Sequence, residues 1–266
     1  MPGQFIKGCQ TNIDCMKKIR LSEIDTRAPG DVGKHHIKKE MKKVLAGLDE
    51  LQNLLYAERK HSVLLVIQGM DAAGKDGLTR DVFTSMNPQG VDVTSFKEPT
   101  DEELSHDFLW RIHQHAPARG MIGVFNRSHY ENVLITRVHN EIDDATALSR
   151  MKAMNDFERL LAEHNHTHIL KFYLHISHTE QRKRLDERLS DPRKMYKYNQ
   201  EDLIESEMWN KYMKCYEDVF EHCSEIPWHI IPSDDNWYKD YLVATTLQKL
   251  LKSLNMKFPG LKKSRK

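Results

Sequence analysis

The chain is predicted to be a three-layer α/β domain, with about five parallel strands and helices on both faces. Three observations predict it. Short, unbroken apolar runs recur along the 266 residues, as strands buried on both faces should. Amphipathic stretches long enough to be crossover helices separate them. Capping pairs of the form Ser/Thr-x-x-Glu stand where several of those helices must begin.

The elements follow in order. Residues 1–33 are polar and aperiodic, and are expected to form an arm partly ordered on the rest. Ile37, Met41, Val44, Leu48, Leu51 and Leu55 recur at steps of three and four, which makes 34–60 a helix with one apolar stripe. SVLLVIQ (62–68) is the first strand, and GLTRDVFTSM the short helix after it. VDVTSF (91–96) is the second strand. Thr100 and Glu103 open a helix running to about His113. MIGVF (121–125) is the third strand, and Ser128 with Glu131 opens the next helix. Residues 145–164 read as a long helix, with Leu148, Met151, Met154, Leu160 and Leu161 in phase. HILKFYLHI (168–176) is the fourth strand, followed by a helix capped by Ser177 and Glu180. A helix over 201–222, a short fifth strand WHII (228–231) and a helix over 237–254 complete the chain.

Composition narrows the function. Forty Lys and Arg against 39 Asp and Glu leave a net charge of +1. A dedicated nucleic-acid binder carries a bulk basic excess, so no nucleic-acid partner is expected. No apolar segment approaches the ~20 residues that cross a bilayer, and the N-terminus lacks the apolar core of a signal peptide. Cys9, Cys15, Cys215 and Cys223 form no C-x-x-C and no ladder with histidine. They read as four reduced thiols in a cytoplasmic enzyme.

Ligands of such sheets bind beyond the carboxyl ends of the strands. After the first strand, GMDAAGKDG (69–77) matches G-x-x-x-x-G-K through Gly69, Gly74 and Lys75, in the required strand-to-helix setting. Backbone N–H groups of Ala72, Ala73, Asp76 and Gly77 and the helix start would face a phosphate. Lys75 supplies a full charge. Asp76 stands where Ser or Thr normally holds magnesium. A carboxylate beside phosphates is repelled unless a cation lies between them. Asp71 therefore reads as a magnesium ligand or a proton acceptor, the alternative being a solvent-facing side chain.

After the third strand stand Asn126, Arg127 and Ser128. Many phosphate-loop enzymes have an acid there to hold the metal. Asn126 can hydrogen-bond a metal-bound water without adding charge. Arg127 can reach a phosphate bidentately, or form a surface salt bridge. Arg111 and Arg137 are balanced between phosphate contact and structure. After the fourth strand, Lys171 to Lys197 contains eight Lys/Arg and four Asp/Glu. Arg184 and Arg188 share a helix face, and Lys194 and Lys197 follow. The segment reads as a basic lid, the alternative being a solvated helix face.

GMDAAGKDG, LWRIHQHAPARGMIGVFNRSHYENVLITRVH (109–139), RLDERLSDPRKMYKY (184–198) and PWHIIP (227–232) together resemble the polyphosphate kinase 2 family, over about Val32 to Leu250. Asn126 places the chain nearest the subgroup associated with AMP as well as ADP. The resemblance implies a phosphate-loop kinase fold similar to thymidylate kinase, spanning 34–256 with a helical lid at about 180–205 and a basic tail at 257–266. It implies transfer of a phosphoryl group from inorganic polyphosphate to AMP or ADP, with guanine analogues as further acceptors and ATP as a product. Mg2+ is the implied cofactor, with Mn2+ as its substitute, in a homodimer or homotetramer. Asp71 would bind the metal and serve as candidate base, with Asn126 reaching the metal through water. Lys75 would steady the transferred group and Arg127 bind phosphates. Asn126, Arg127, Ser128, Glu131 and Arg137 would line the nucleotide site. Arg184, Arg188, Lys194 and Lys197 would form the polyphosphate path. Tyr196 replaces the family's usual Trp, and Ser233-Asp234-Asp235 departs from its usual ending. Rival readings are an ATP-dependent nucleotide kinase, a nucleotide-binding switch and a non-catalytic polyphosphate binder.

Overall fold

A computed structural model describes residues 19–260. Cys9, Cys15, the first part of the expected arm and the last six residues lie outside them. Helix α1 (Lys34–Glu58) buries Ile37, Val44, Leu48 and Leu55. Five strands follow: β1 (Ser62–Gln68), β2 (Val91–Ser95), β3 (Ile122–Asn126), β4 (Thr167–His175) and β5 (Trp228–Pro232). They form one sheet in the order β2-β3-β1-β4-β5, and every pairing is parallel. The central strands β1 and β3 are buried at every position, as their unbroken apolar runs require. The edge strand β2 is largely open.

Helix α2 (Lys75–Phe83) follows β1. The predicted helix after Thr100 is instead two single turns, α3 (Asp101–Leu104) and α4 (Trp110–His113). Thr100 and Glu103 do form the reciprocal capping box, but the chain turns again at Asp107, whose carboxylate caps Leu109 N–H at 2.9 Å. Helix α5 (Glu131–Val138) opens without the predicted box. Ser128 Oγ accepts from Tyr130 N–H, one residue short of Glu131. Helix α6 (Asp144–Asn165) buries Met151, Met154 and Leu161, whereas Leu148 and Leu160 are exposed. Phe157 and Glu158 take their places on the inner face.

Helix α7 (His178–Ser190) begins at Ser177, whose hydroxyl accepts from Glu180 N–H. The predicted helix over 201–222 is divided at Met208 into α8 (Gln200–Glu207) and α9 (Trp209–His222). Helix α10 (Asn236–Ser253) closes the chain. On one side of the sheet α10 packs along α1 and meets α2; on the other, α5, α6 and α9 pack together. The core lies in both interlayers. The segment before α1 is tied to β4 and to the loop after β5: Leu21 is buried, the Ile24 carbonyl faces His175 Nε2 at 3.1 Å, and Asp234 N–H donates to the Thr26 carbonyl at 2.9 Å. No helix of the described residues is long and apolar enough to cross a membrane.

Candidate active site

The loop after β1 reverses direction and starts α2. Gly74 caps α2 with φ +95°, and a Cβ there would lie 2.5 Å from Lys239 Nζ. That leaves glycine as the residue that fits. Ala72 is also left-handed, at φ +63°. Lys75 is 9% exposed and curls back over its own loop, donating to the Gly69 carbonyl at 2.7 Å and the Met70 carbonyl at 3.2 Å. Burial lowers its proton affinity, while Asp71, at 3.9 Å, opposes the shift.

The end of β3 supplies the facing groups. Arg127 holds φ +63° and donates from Nη2 to Asp71 Oδ1 at 2.5 Å. Burial alone would push the Asp71 carboxyl up, but Lys75 and Arg127 outweigh it and hold it below its ordinary value. Glu131, at the start of α5, is pushed up by burial against the pull of Arg127 and Lys75. Asn126 Nδ2 donates to Asp76 Oδ1 at 2.8 Å, and Lys197 Nζ reaches Asp76 Oδ2 at 3.1 Å. Gln68 ties the two strand ends together. Its amide nitrogen donates to Glu131 at 3.0 Å, and its oxygen accepts from Ser128 N–H at 3.2 Å and from Ser128 Oγ at 2.9 Å.

Helices α7 and α8 roof the loop. Gln181 Nε2 donates to the Asp71 carbonyl at 3.1 Å and is itself held by Ser206 of α8. Arg184 spans two loops, donating to the carbonyls of Ala72 (3.1 Å), Ser233 (2.9 Å) and Asp234 (2.7 Å). Arg188 pairs with Asp202, and Lys194 with Glu187 at 2.6 Å. Each of these two cations thus rests on an acid that an incoming polyanion can displace. Tyr196 is 80% exposed, with Lys197 Nζ 5.7 Å from its ring centre. The departure at 233–235 has a structural use: Asp234 accepts from Ser177 N–H and Oγ and from Thr26.

The structure gathers most of the sequence-predicted residues around one open cleft of about 2060 Å³. Asp71, Ala72, Gly74, Lys75, Asp76, Gly77, Asn126, Arg127, Glu131, Arg184, Arg188, Lys194 and Lys197 line it. Gly69, Ala73 and Ser128 are buried behind this lining. Arg137 is a correction. It turns away and pairs with Asp144 at 2.7 Å and Asp218 at 2.9 Å, because α5 carries it to the far face. Lys171 is another: it is 0% exposed inside the core and belongs to no basic path. Arg111 borders the cleft while donating to the Lys97 carbonyl and pairing with Glu103. Sequence reasoning missed Lys239 of α10, which donates to the Gly74 carbonyl at 3.0 Å. In the sequence it is one of several lysines on a helix of mixed polarity, so nothing local marks it.

The oxygen donors suit a hard divalent cation. Asp71 and Asp76 flank Lys75 at the cleft. Among the described residues no group of three or more His, Cys, Asp or Glu forms a metal cage. One or two carboxylates, completed by water and substrate phosphates, is the usual setting of magnesium.

A buried lysine at the start of a loop-fed helix, facing an arginine-bearing roof, places the molecule among phosphate-loop phosphotransferases. The family is narrower still. The chain belongs to the polyphosphate kinase 2 family, whose model, Polyphosphate kinase 2 (PPK2), matches residues 31–259. It is 47% identical over 214 residues to an AMP/ADP-polyphosphate phosphotransferase of Meiothermus ruber, covering 80% of each chain. It is 40% identical over 269 residues to an ADP-polyphosphate phosphotransferase of Rhodopseudomonas palustris, covering 96% of this chain and 93% of that one. Its fold matches the crystal structure of polyphosphate kinase 2 from Arthrobacter aurescens at a TM-score of 0.89 and 44% identity, covering 93% and 90%.

Proposed function

We propose that this enzyme moves the terminal phosphoryl group of inorganic polyphosphate to AMP and ADP, and to guanine analogues, reversibly giving ADP and ATP. The observation that carries the reading is the meeting of cations from β3 and the lid on the phosphate loop: Arg127 on Asp71, Arg184 on the Ala72 carbonyl and Lys197 on Asp76. A polyphosphate chain carries about one charge per phosphate and asks for a row of displaceable cations rather than a base pocket. The names of the relatives from Meiothermus ruber and Rhodopseudomonas palustris support the donor and the adenine acceptors.

In this reading the chemistry is positioning and charge neutralisation. Lys75 and Arg127 hold the transferred group between donor and acceptor. Asp71 would hold Mg2+, or Mn2+ in its place, with Asn126 and Asp76 reaching the metal's water shell. The metal supplies charge neutralisation at the transferring oxygens. Asp71 is kept ionised by its neighbours, which is the form a carboxylate needs to hold a metal. Arg188, Lys194 and Lys197 exchange Asp202, Glu187 and Asp76 for polyphosphate as the lid engages. The working unit is residues 34–256 with its lid at about 180–205. A homodimer or homotetramer in the cytoplasm completes the proposal.

The test is an assay in Mg2+ with polyphosphate and each of AMP, ADP, GMP and GDP. Chromatographic appearance of the next higher nucleotide supports the reading. Product formed from ATP but never from polyphosphate defeats it.

A further inference from the structure

A polar network lies sealed in the core beneath the turn that carries Arg127. Lys171 stands mid-strand in β4, between Val66 of β1 and Trp228 of β5. Its Nζ donates to Glu158 Oε2 at 2.7 Å, Tyr130 Oη at 3.0 Å and the Cys223 carbonyl at 2.9 Å. Glu158 Oε1 in turn accepts from Tyr130 Oη at 2.7 Å and faces His129 Nε2 at 3.2 Å. All four side chains are buried.

Stability alone does not account for such a cluster. Desolvating both ions offsets most of their attraction, and apolar residues of similar volume often pack as stably. What the cluster fixes is geometry. His129 and Tyr130 lie two and three residues beyond Arg127, and the network pins them from below. Gln68 pins Ser128 and Glu131 of the same turn. Arg127 keeps φ +63°, a conformation that a non-glycine residue holds only where its surroundings impose it.

We propose that Lys171, Glu158 and Tyr130 are positioning residues for phosphoryl transfer, holding the turn so that Arg127 meets Asp71 at the transferred group. The inference rests on the phosphotransferase reading of the cleft. None of the three touches substrate.

The experiment is a double-mutant cycle on kcat, run with whichever donor the wild-type enzyme turns over, polyphosphate or ATP. A wrong donor assignment therefore leaves the cycle intact. Tyr130→Phe keeps the ring against Trp228, at 4.8 Å between centres, and removes only the hydroxyl. It is expected to lower kcat about tenfold, with both KM values within about twofold. In an Arg127→Lys background the same change should cost less than about threefold, because the aim of Arg127 is already lost. Equal factors in both backgrounds, or an effect confined to KM, would overturn the proposal. A second variant, Lys171→Met with Glu158→Leu and Tyr130→Phe, replaces the ion pair and the hydroxyl it holds by apolar side chains. It is expected to keep Tm within about 5 °C of wild type while kcat stays down about tenfold. Turnover that recovers along with Tm would make the network structural only.

Discussion

The Arg127 guanidinium lies 2.5 Å from Asp71, so the acid of the phosphate loop is held by the cation at the neighbouring strand end. Lys75 adds its charge from 3.9 Å. Together they outweigh burial and lower the proton affinity of Asp71. A carboxyl whose folded pKa is depressed adds stability above its unfolded value of 3.8, and that stability is lost as pH falls through the folded value. The Tm of the wild type should therefore drop more steeply below about pH 4 than that of Asp71→Asn. Parallel Tm profiles would show that the pair has no linkage to folding.

Lys75 is the buried cation of the loop, donating to the carbonyls of Gly69 and Met70. Lys75→Ala should lose at least ~10²-fold in turnover, on the scale of removing one preorganised donor. Steady-state rates at saturating substrates measure it. Near-normal turnover would remove Lys75 from the chemistry.

The two lid arginines should separate. Arg188 rests on Asp202, so Arg188→Ala should raise the polyphosphate KM about tenfold, leave nucleotide KM nearly unchanged, and reduce the salt sensitivity of polyphosphate use. Arg184 instead ties the Ala72 carbonyl to the loop after β5, so Arg184→Ala should lower kcat as well. Identical kinetic patterns for the two variants would mean that the lid acts as one undifferentiated surface.

Asn126 donates to Asp76 at 2.8 Å. Asn126→Asp replaces that bond with two facing carboxylates, which a cation between them can relieve. The variant should lose a few degrees of Tm without Mg2+ and regain them with it, and its AMP-to-ADP preference should change. An unaltered ratio of kcat/KM values for AMP and ADP would take Asn126 out of acceptor choice.

The strands were legible because burial on both faces leaves an unbroken apolar run, as in Ser62–Gln68. The phosphate loop was legible because its glycine and lysine positions follow from local backbone geometry, as the φ of +95° at Gly74 shows. What depends on tertiary placement was not. Lys171 reads as one of a run of lid cations, yet β4 carries it into the core to meet Glu158. Arg137 sits in the right helix but on the far face. Lys239 reaches Gly74 across 165 residues of sequence, and no local pattern encodes that contact. Leu148 and Leu160 follow the helical period yet face outward, and Glu158 points inward, because a polar network in the core calls for it.

What sets this enzyme apart from a conventional nucleotide kinase is inorganic polyphosphate as the donor. The most direct measurement incubates the protein with Mg2+, polyphosphate and AMP, free of ATP, and separates products over time, with ATP plus dTMP as the control. Polyphosphate donation gives ADP and then ATP from AMP, and no dTDP in the control. Product confined to the ATP-plus-dTMP control would contradict it and make this a conventional nucleotide kinase.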